Sequence, residues 1–473
     1  MKNFYITTTL PYVNGKPHIG FALEVVQADV IARFHSLLGE EVVFNIGTDE
    51  HGTKILEKAN EEGVTPQEFC DRMSVHFRNL RELLDISYTN FIRTTDAHHM
   101  LAAQEFWKRC RENGDIYKKN YKTKYCIGCE LEKTDSDLTD GKCPEHPNRE
   151  IETVEEENYF FRFSKYQDAL LSLYKKQSDF VIPEKRMNEI AAFVERGLQD
   201  FSISRLKKKM SWGIPVPDDD DHVMYVWFDA LVNYISTIGW NSDQKRFEKF
   251  WPGVQIAGKD NLRQQSAMWQ AMLLSADIVP SRQILIHGHI TCDGQKMSKS
   301  LGNVVSPEEL IAQFGKDGAR YLLLSAASFG EDIDLSRERM TEKYNADLAN
   351  GLGNLVSRVL KLSERMGNGE WGMEHFSNEF PEEFSKLLEK YRLSEGLEYI
   401  GDIVRSANKY IEETKPWELA KTNSEKFESV MKKLLEDLER IAFLLSPFLP
   451  ETSEKIREML TERKGGILFR RIA

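Results

Sequence analysis

Residues 3–51 alternate between β-branched strands and an apolar-periodic helix, and this alternation constrains the fold more than any other feature of the chain. "NFYITTTLPY" reads as a strand stopped by Pro11, residues 20–38 as a helix, and "EEVVFNIGTDEHG" as a second strand ending at Gly47. Strands joined through a helix lie parallel, because the crossover returns the chain to the same end of the sheet. Ligands of such sheets sit beyond the carboxyl ends of the strands. His18 and the run Asp49-Glu50-His51 both follow strand ends, which assigns them to one crevice. Gly15, Pro17 and Gly20 surround His18 in a loop that opens a helix, the setting in which phosphate is commonly bound.

At 473 residues the chain has room for about two to four domains. Its hydrophobic content of 41% and charged content of 29% fit an ordinary globular protein. No apolar run approaches the ~20 residues needed to span a bilayer. The N-terminus lacks the basic, apolar and small-residue order of a secretory signal. The expected location is cytoplasmic, with no membrane partner. A net charge of −12 excludes general coating of nucleic acid and leaves only local basic faces. Lys118, Lys119, Lys122 and Lys124 form one candidate, and Arg205, Lys207, Lys208 and Lys209 another; both read equally well as solvated faces. Asp218–Asp221 reads as a plain surface loop.

From about residue 114 the alternation lapses into a Lys-rich, Cys-bearing stretch, and it returns with "VMYVWFDALVNYI", "VQIAGKD" and "QILIHGHIT". The expected organisation is an α/β domain of residues 1–113 and 204–295, interrupted by an insertion at 114–203. A connecting segment at 296–344 then leads to a separate helical bundle at 345–473, where few Gly or Pro interrupt the pattern.

Cys126-x2-Cys129-x13-Cys143-x2-His146 offers three thiolates and an imidazole in two close pairs. Each pair can clasp one side of a tetrahedral ion, and four protein ligands leave no open position, so one structural Zn²⁺ is expected. Cys70, Cys110 and Cys292 stand alone and read as isolated thiols. "CDGQKMSKSLGN" sets Lys296 and Lys299 on a Gly-flanked loop after the strand "ILIHGH". Two ammonium groups there could follow charge as it develops on a polyphosphate.

"LPYVNGKPHIG", "GTDEHG", "YVWFDA", "GKD" and "KMSKSLGNV" occur in order and at familiar separations. Together they resemble the motifs of class I aminoacyl-tRNA synthetases. With the single zinc knuckle, the resemblance is to the methionyl-tRNA synthetase family and covers essentially the whole chain. Leucyl, isoleucyl and valyl enzymes share the first and last motifs, but the 114–203 insertion is too short for their editing domain. The cysteinyl family holds its zinc in the catalytic pocket, whereas the ligands here cluster on the insertion.

The resemblance implies a Rossmann-type catalytic domain with a zinc-bearing insertion, followed by an all-α anticodon-binding bundle. It implies ATP accompanied by Mg²⁺, L-methionine and tRNA-Met as partners. His18, Lys296 and Lys299 would be catalytic and bind ATP, with Gly20, Gly258, Asp260 and His287 around them. Asp49 would hold the methionine ammonium group, and Leu10, Tyr12, Trp227, Ala230, Leu231 and Tyr234 would wall its side chain, with Gln265 beside it. Trp227, Leu231 and Tyr234 fall at i, i+4 and i+7, a stripe that would otherwise read as core. A polarizable thioether suits such rings. Arg205 would support the active-site carboxylates. Asn354 and Arg358, neighbours on one helix face, would read the CAU anticodon together with Trp417. A monomer is expected, since the chain stops after "ILFRRIA" without a dimerisation module.

Three positions depart from the family pattern. Phe21 stands where a second histidine is usual, and Asn261 and Gln265 stand where isoleucine and histidine are usual. They leave a catalytically silent paralogue, binding tRNA or a protein partner, as the alternative.

Overall fold

The computed structural model describes residues 2–472 except Glu130, Thr134, 293–294, 297–304 and 367–378; at 121, 123, 131–132, 136, 154, 292 and 295–296 it describes the backbone alone. β1 (Asn3–Thr7) leads through a loop into α1 (Ile19–Leu37), and β2 (Glu41–Thr48) follows closely. α1 is mostly apolar and buried on nearly every face, its polar Glu24, Gln27 and Asp29 included. Next come α2 (Thr53–Glu62), α3 (Pro66–Arg78), β3 (Asn90–Arg93) and α4 (Ala97–Glu112). β3 lies in a stretch whose sequence pattern predicts only helices. Four residues at a sheet edge are too few to show a period of two.

β4 (Ile116–Cys126) and β5 (Glu152–Phe161) pair antiparallel from Ile116↔Phe161 to Tyr125↔Glu152 and form the middle of a four-stranded sheet. The expected insertion therefore holds an antiparallel β-layer, followed by the helices Gln167–Lys176 and Glu184–Glu195. One piece of it is not an excursion: β6 (Val181–Ile182) returns to the main sheet. The acidic run is not a plain loop either. Asp218 makes the turn at φ 63°, and Asp219–Met224 is a strand paired with Ser204–Leu206. Lys118, Lys122 and Lys124 on β4 are paired with Asp219, Glu155 and Asp135 at 2.7, 3.3 and 2.6 Å, so this face is charge-balanced.

α5 (Val226–Leu231), β7 (Val254–Gly258) and β8 (Gln283–His287) complete the α/β half. The main sheet is parallel throughout, in the order β3-β2-β1-β7-β8-β6. Chain direction across the sheet reverses between β1 and β7, which opens a crevice at their carboxyl ends. Beyond the connecting segment stand α6 (Pro307–Ser325), α7 (Asn354–Ser363), α8 (Leu393–Thr414), α9 (Pro416–Thr422), α10 (Ser424–Leu445) and α11 (Pro450–Glu462). These helices pack directly onto the α/β half. One apolar cluster runs from Phe4, Ile6 and α1 through Phe314 to Leu355, Leu434 and Phe448. A second cluster, around Phe106, Trp107, Phe228 and Trp269, is built on the other side. Among the described residues no helix is long and apolar enough to cross a membrane.

Arg320 of α6 is fully buried where three parts of the chain meet. It donates to Asp29 Oδ2 on α1 at 2.7 Å, to the Leu84 carbonyl at 2.9 Å and to the Phe448 carbonyl at 2.7 Å. Arg33 donates to the same carboxylate oxygen at 2.8 Å, and Ser87 satisfies the other oxygen through its N–H and hydroxyl at 2.6 and 2.7 Å. Burial pushes the Asp29 carboxyl up, but Arg320, Arg33 and the Ser87 hydrogen bonds outweigh it and hold the pKa below the usual range. Arg320→Ala strips a partner from a buried charge and leaves two carbonyls without this donor. It is expected to remove about 3–5 kcal/mol of stability, measured by chemical denaturation of the full chain.

Candidate active site and metal cluster

The loops that follow β1 and β2 are tied together by backbone bonds. Asp49 N–H donates to the Pro11 carbonyl at 2.9 Å, and Val13 N–H donates to the Asp49 carbonyl at 3.3 Å. This parallel bridge sets Tyr12 beside Asp49 at the head of the crevice. His18 opens α1 as its N-cap: the backbone is extended (φ −98°, ψ 165°) and Nδ1 accepts the Phe21 N–H at 3.2 Å. The imidazole folds over Gly20, where a Cβ would come within 3.0 Å of the ring. Phe21 instead turns inward, 4% exposed and edge-on to Phe77 with centroids 5.9 Å apart. His18 reaches solvent at the crevice mouth, yet desolvation by the surrounding protein lowers its pKa, against the pull of Asp260 and Glu24.

Gly258 ends β7, and a Cβ there would lie 2.7 Å from Asp260 Oδ1 and 3.5 Å from His287 Cε1. Asp260 stays largely open to solvent, 3.6 Å from His289 Nε2. Both ring nitrogens of His287 are engaged. Its Nδ1 meets the Gly288 carbonyl at 2.7 Å and its Nε2 meets Glu24 Oε2 at 3.0 Å. Burial lowers the His287 pKa, but Glu24 more than offsets this, and the net shift is upward. The other oxygen of Glu24 accepts the Thr9 N–H and hydroxyl at 2.6 and 2.7 Å. Glu24 therefore ties the exit of β1 to the exit of β8. Sequence reasoning missed it, although a carboxylate amid an apolar helix was the available signal.

Trp227 is half-buried, and Ala230, Leu231 and Tyr234 are buried on α5 and the turn beyond it. The Tyr234 hydroxyl accepts from Gln265 Nε2 at 2.6 Å, and the Tyr234 ring meets Trp269 edge-on. Gln265 sits on a π-helical turn, Gln264–Met268, a local widening often found at functional sites. Leu10 is half-buried in the loop beyond β1. A second polar tether, also missed, lies beneath these residues. His51 Nδ1 meets Asp229 Oδ2 at 2.7 Å, and the other Asp229 oxygen meets His99 Nε2 at 3.0 Å. A carboxylate only accepts, so both of these ring nitrogens carry a proton. Arg205 is buried against the Tyr225 and Tyr125 rings, 4.2 and 5.1 Å from their centroids, and donates to the Ser202 hydroxyl and the Ser204 carbonyl, each at 2.8 Å. Of the expected loop lysines, Lys296 is described only in its backbone, paired with Thr291, and Lys299 lies outside the described residues.

Cys126, Cys129, Cys143 and His146 bring their ligand atoms within 4.8 Å of one another. Cys129 Sγ is 3.4 Å from Cys143 Sγ and 3.3 Å from His146 Nδ1. A tetrahedral ion with bonds of about 2.3 Å separates its sulfurs by about 3.8 Å, so four donors this close together fit around one ion with small adjustments. Gly128 is required here, because a Cβ would strike His146 Cγ at 2.3 Å.

Comparison with known proteins decides the family. The model for "tRNA synthetases class I (M)" matches residues 4–155 and 146–360, and that for "Anticodon-binding domain of tRNA ligase" matches 371–471. The methionine–tRNA ligase of Thermotoga maritima is 42% identical over 96% of this chain and 74% of its own length. That of Synechocystis is 41% identical over 97% and 89%. The chain belongs to the methionyl-tRNA synthetase family. Among solved structures, Mycobacterium tuberculosis methionyl-tRNA synthetase in complex with methionyl-adenylate superposes with a TM-score of 0.91 at 38% identity, covering 97% of this chain and 94% of that one.

In the helical half of the chain, Asn354 and Arg358 share the first turns of α7. Asn354 is exposed at a cleft of about 400 Å³ that Ser357, Leu468 and Phe469 also line. Arg358 Nη2 donates to Glu412 at 2.6 Å. Trp417, following Pro416 at the start of α9, is half-buried against the shared core. The position of Phe21 in the core makes a prediction. Phe21→His buries a polar ring among apolar neighbours and is expected to lower stability by about 1–3 kcal/mol, measured by thermal unfolding. Unchanged stability would contradict the core placement.

Proposed function

We propose that the crevice between β1 and β7 joins methionine to ATP, giving methionyl-adenylate and pyrophosphate, and passes the methionyl group to the 3′ end of tRNA-Met. The observation that carries the residue-level reading is the Tyr12–Asp49 bridge, which unites the two strand exits beside the helix that His18 caps. In this reading Asp49 takes the methionine ammonium group. Leu10, Tyr12, Trp227, Ala230, Leu231, Tyr234 and Gln265 surround the thioether. The methionine carboxylate attacks the α-phosphorus, so no side chain serves as nucleophile. Positioning and electrostatics supply the catalysis. The start of α1 presents backbone N–H groups to the phosphates alongside His18 and Gly20, while Lys296 and Lys299 follow charge onto the departing pyrophosphate. Gly258 and Asp260 border the adenosine side, and His287 acts there through Glu24. Arg205 steadies the carboxylates through the packing around it.

Cys126, Cys129, Cys143 and His146 hold one structural Zn²⁺, and Mg²⁺ enters with ATP. The proposed modules are a catalytic domain of 1–113 and 204–295, the metal-bearing insertion 114–203 that returns β6 to the sheet, the connecting segment 296–344 and the anticodon domain 345–473. The chain acts as a cytoplasmic monomer. The silent-paralogue alternative rested on Phe21, Asn261 and Gln265. Likeness over nearly the whole chain to methionine–tRNA ligases gives it no support.

Asn354, Arg358 and Trp417 read the anticodon, with the indole stacking on an unpaired base as single-stranded loops allow. Such stacking contributes ~1–3 kcal/mol per base. Trp417→Ala is therefore expected to lower aminoacylation efficiency by about one to two decades through the KM for tRNA, while adenylate formation without tRNA stays nearly unchanged. Equal loss in both assays would make Trp417 a core residue and overturn its assignment.

A further inference from the structure

Lys54 joins two regions that the reading above treats separately. It sits in the first turn of α2, where a cation opposes the helix dipole and so has no local reason to be. Among the described residues no carboxylate pairs with it. Its ammonium instead donates to the Gly128 carbonyl at 2.8 Å and lies 4.9 Å from the centroid of the Tyr12 ring. Gly128 stands between Cys126 and Cys129, in van der Waals contact with the His146 ring that leaves no room for a Cβ. The position of that carbonyl thus depends on how the metal ligands close. Tyr12, at the other end, is bridged to Asp49. A single half-buried ammonium group therefore spans from the turn around the metal ligands to the aromatic wall of the crevice.

We propose that Lys54 is a positioning residue that couples metal occupancy of the Cys126–His146 cluster to methionine binding, by fixing the Tyr12 ring from the Gly128 carbonyl. The proposal rests on the assignment of Tyr12 to the methionine pocket. With the metal bound, the Cys126–Cys129 turn is closed, the carbonyl is held, and the ammonium is anchored over the ring. With the metal lost, the turn relaxes and the ring loses its support. Coupling between two sites is reciprocal, so methionine must strengthen metal binding by the factor by which the metal strengthens methionine binding.

The test uses the full chain carrying about one zinc, as determined by elemental analysis. Apparent zinc affinity is measured by competition with a chromogenic chelator, with and without saturating methionine. Methionine affinity is followed in parallel by tryptophan fluorescence. The wild type is expected to bind zinc about three- to fivefold more tightly with methionine present, a factor in the range of an exposed-to-buried cation–π contact. Lys54→Met is expected to keep its zinc and its KM for ATP, to bind methionine about three- to fivefold more weakly, and to show no effect of methionine on zinc affinity. Lys54→Arg, which keeps a cation, is expected to restore most of the coupling. Undiminished coupling in Lys54→Met, or none in the wild type, overturns the proposal. Tyr12→Ala separates the two levels. If it weakens methionine binding while Lys54→Met leaves coupling intact, only the Lys54 proposal falls. If it leaves methionine affinity unchanged, the pocket assignment falls and the proposal with it.

Discussion

The buried pair of Asp29 and Arg320 is the constraint on which the arrangement of this molecule depends. Desolvating two charges costs several kcal/mol, and a bare pair would not recover it. Here the guanidinium also serves carbonyls at Leu84 and Phe448, while Asp29 collects Arg33 and both donors of Ser87. The network fixes α1 against α6 and against the turn between α10 and α11. α1 is also the helix that begins at His18 and carries Glu24, so one clamp sets the height of the crevice floor relative to the helical half.

Above that clamp, two buried polar tethers hold the strand exits. Glu24 gathers Thr9 and His287, and Asp229 gathers His51 and His99. One lies beside the phosphate end of the proposed site and the other beneath the methionine end. Groups held in this way need little reorganisation when charge develops, which is how preorganised sites lower a barrier. Phe21 fits the same logic. Its ring fills the core beside Phe77, and the crevice keeps His18 as the imidazole at that helix start.

Much of this was legible in the sequence because it was local. Residues 20–38 were periodic enough to place α1 within one residue at each end. The Cys and His spacing identified a cluster that the chain does bring together. β3 and β6 escaped because strands of four and two residues carry no usable period. The Asp219 strand escaped because the four consecutive acids Asp218–Asp221 look like solvent-exposed loop, whereas Asp219 takes the Lys118 ammonium and the Tyr159 hydroxyl. The tethers were illegible for another reason. His51 finds Asp229 and Glu24 finds His287 far along the chain, and such pairs leave no local signature. Periodicity reports a buried face without naming what buries it, so the sequence could not show that Phe448 and Leu355 share a cluster with Phe4.

The central claim is that this crevice activates methionine. The most direct measurement is ATP–pyrophosphate exchange by the purified chain with Mg²⁺ and saturating ATP, comparing methionine with leucine, isoleucine, valine and cysteine. The account predicts exchange that depends on methionine and is at least about a hundredfold weaker with the others, the scale of about 2.7 kcal/mol of discrimination. No exchange with methionine under these conditions, or equal exchange with another of these amino acids, would contradict it.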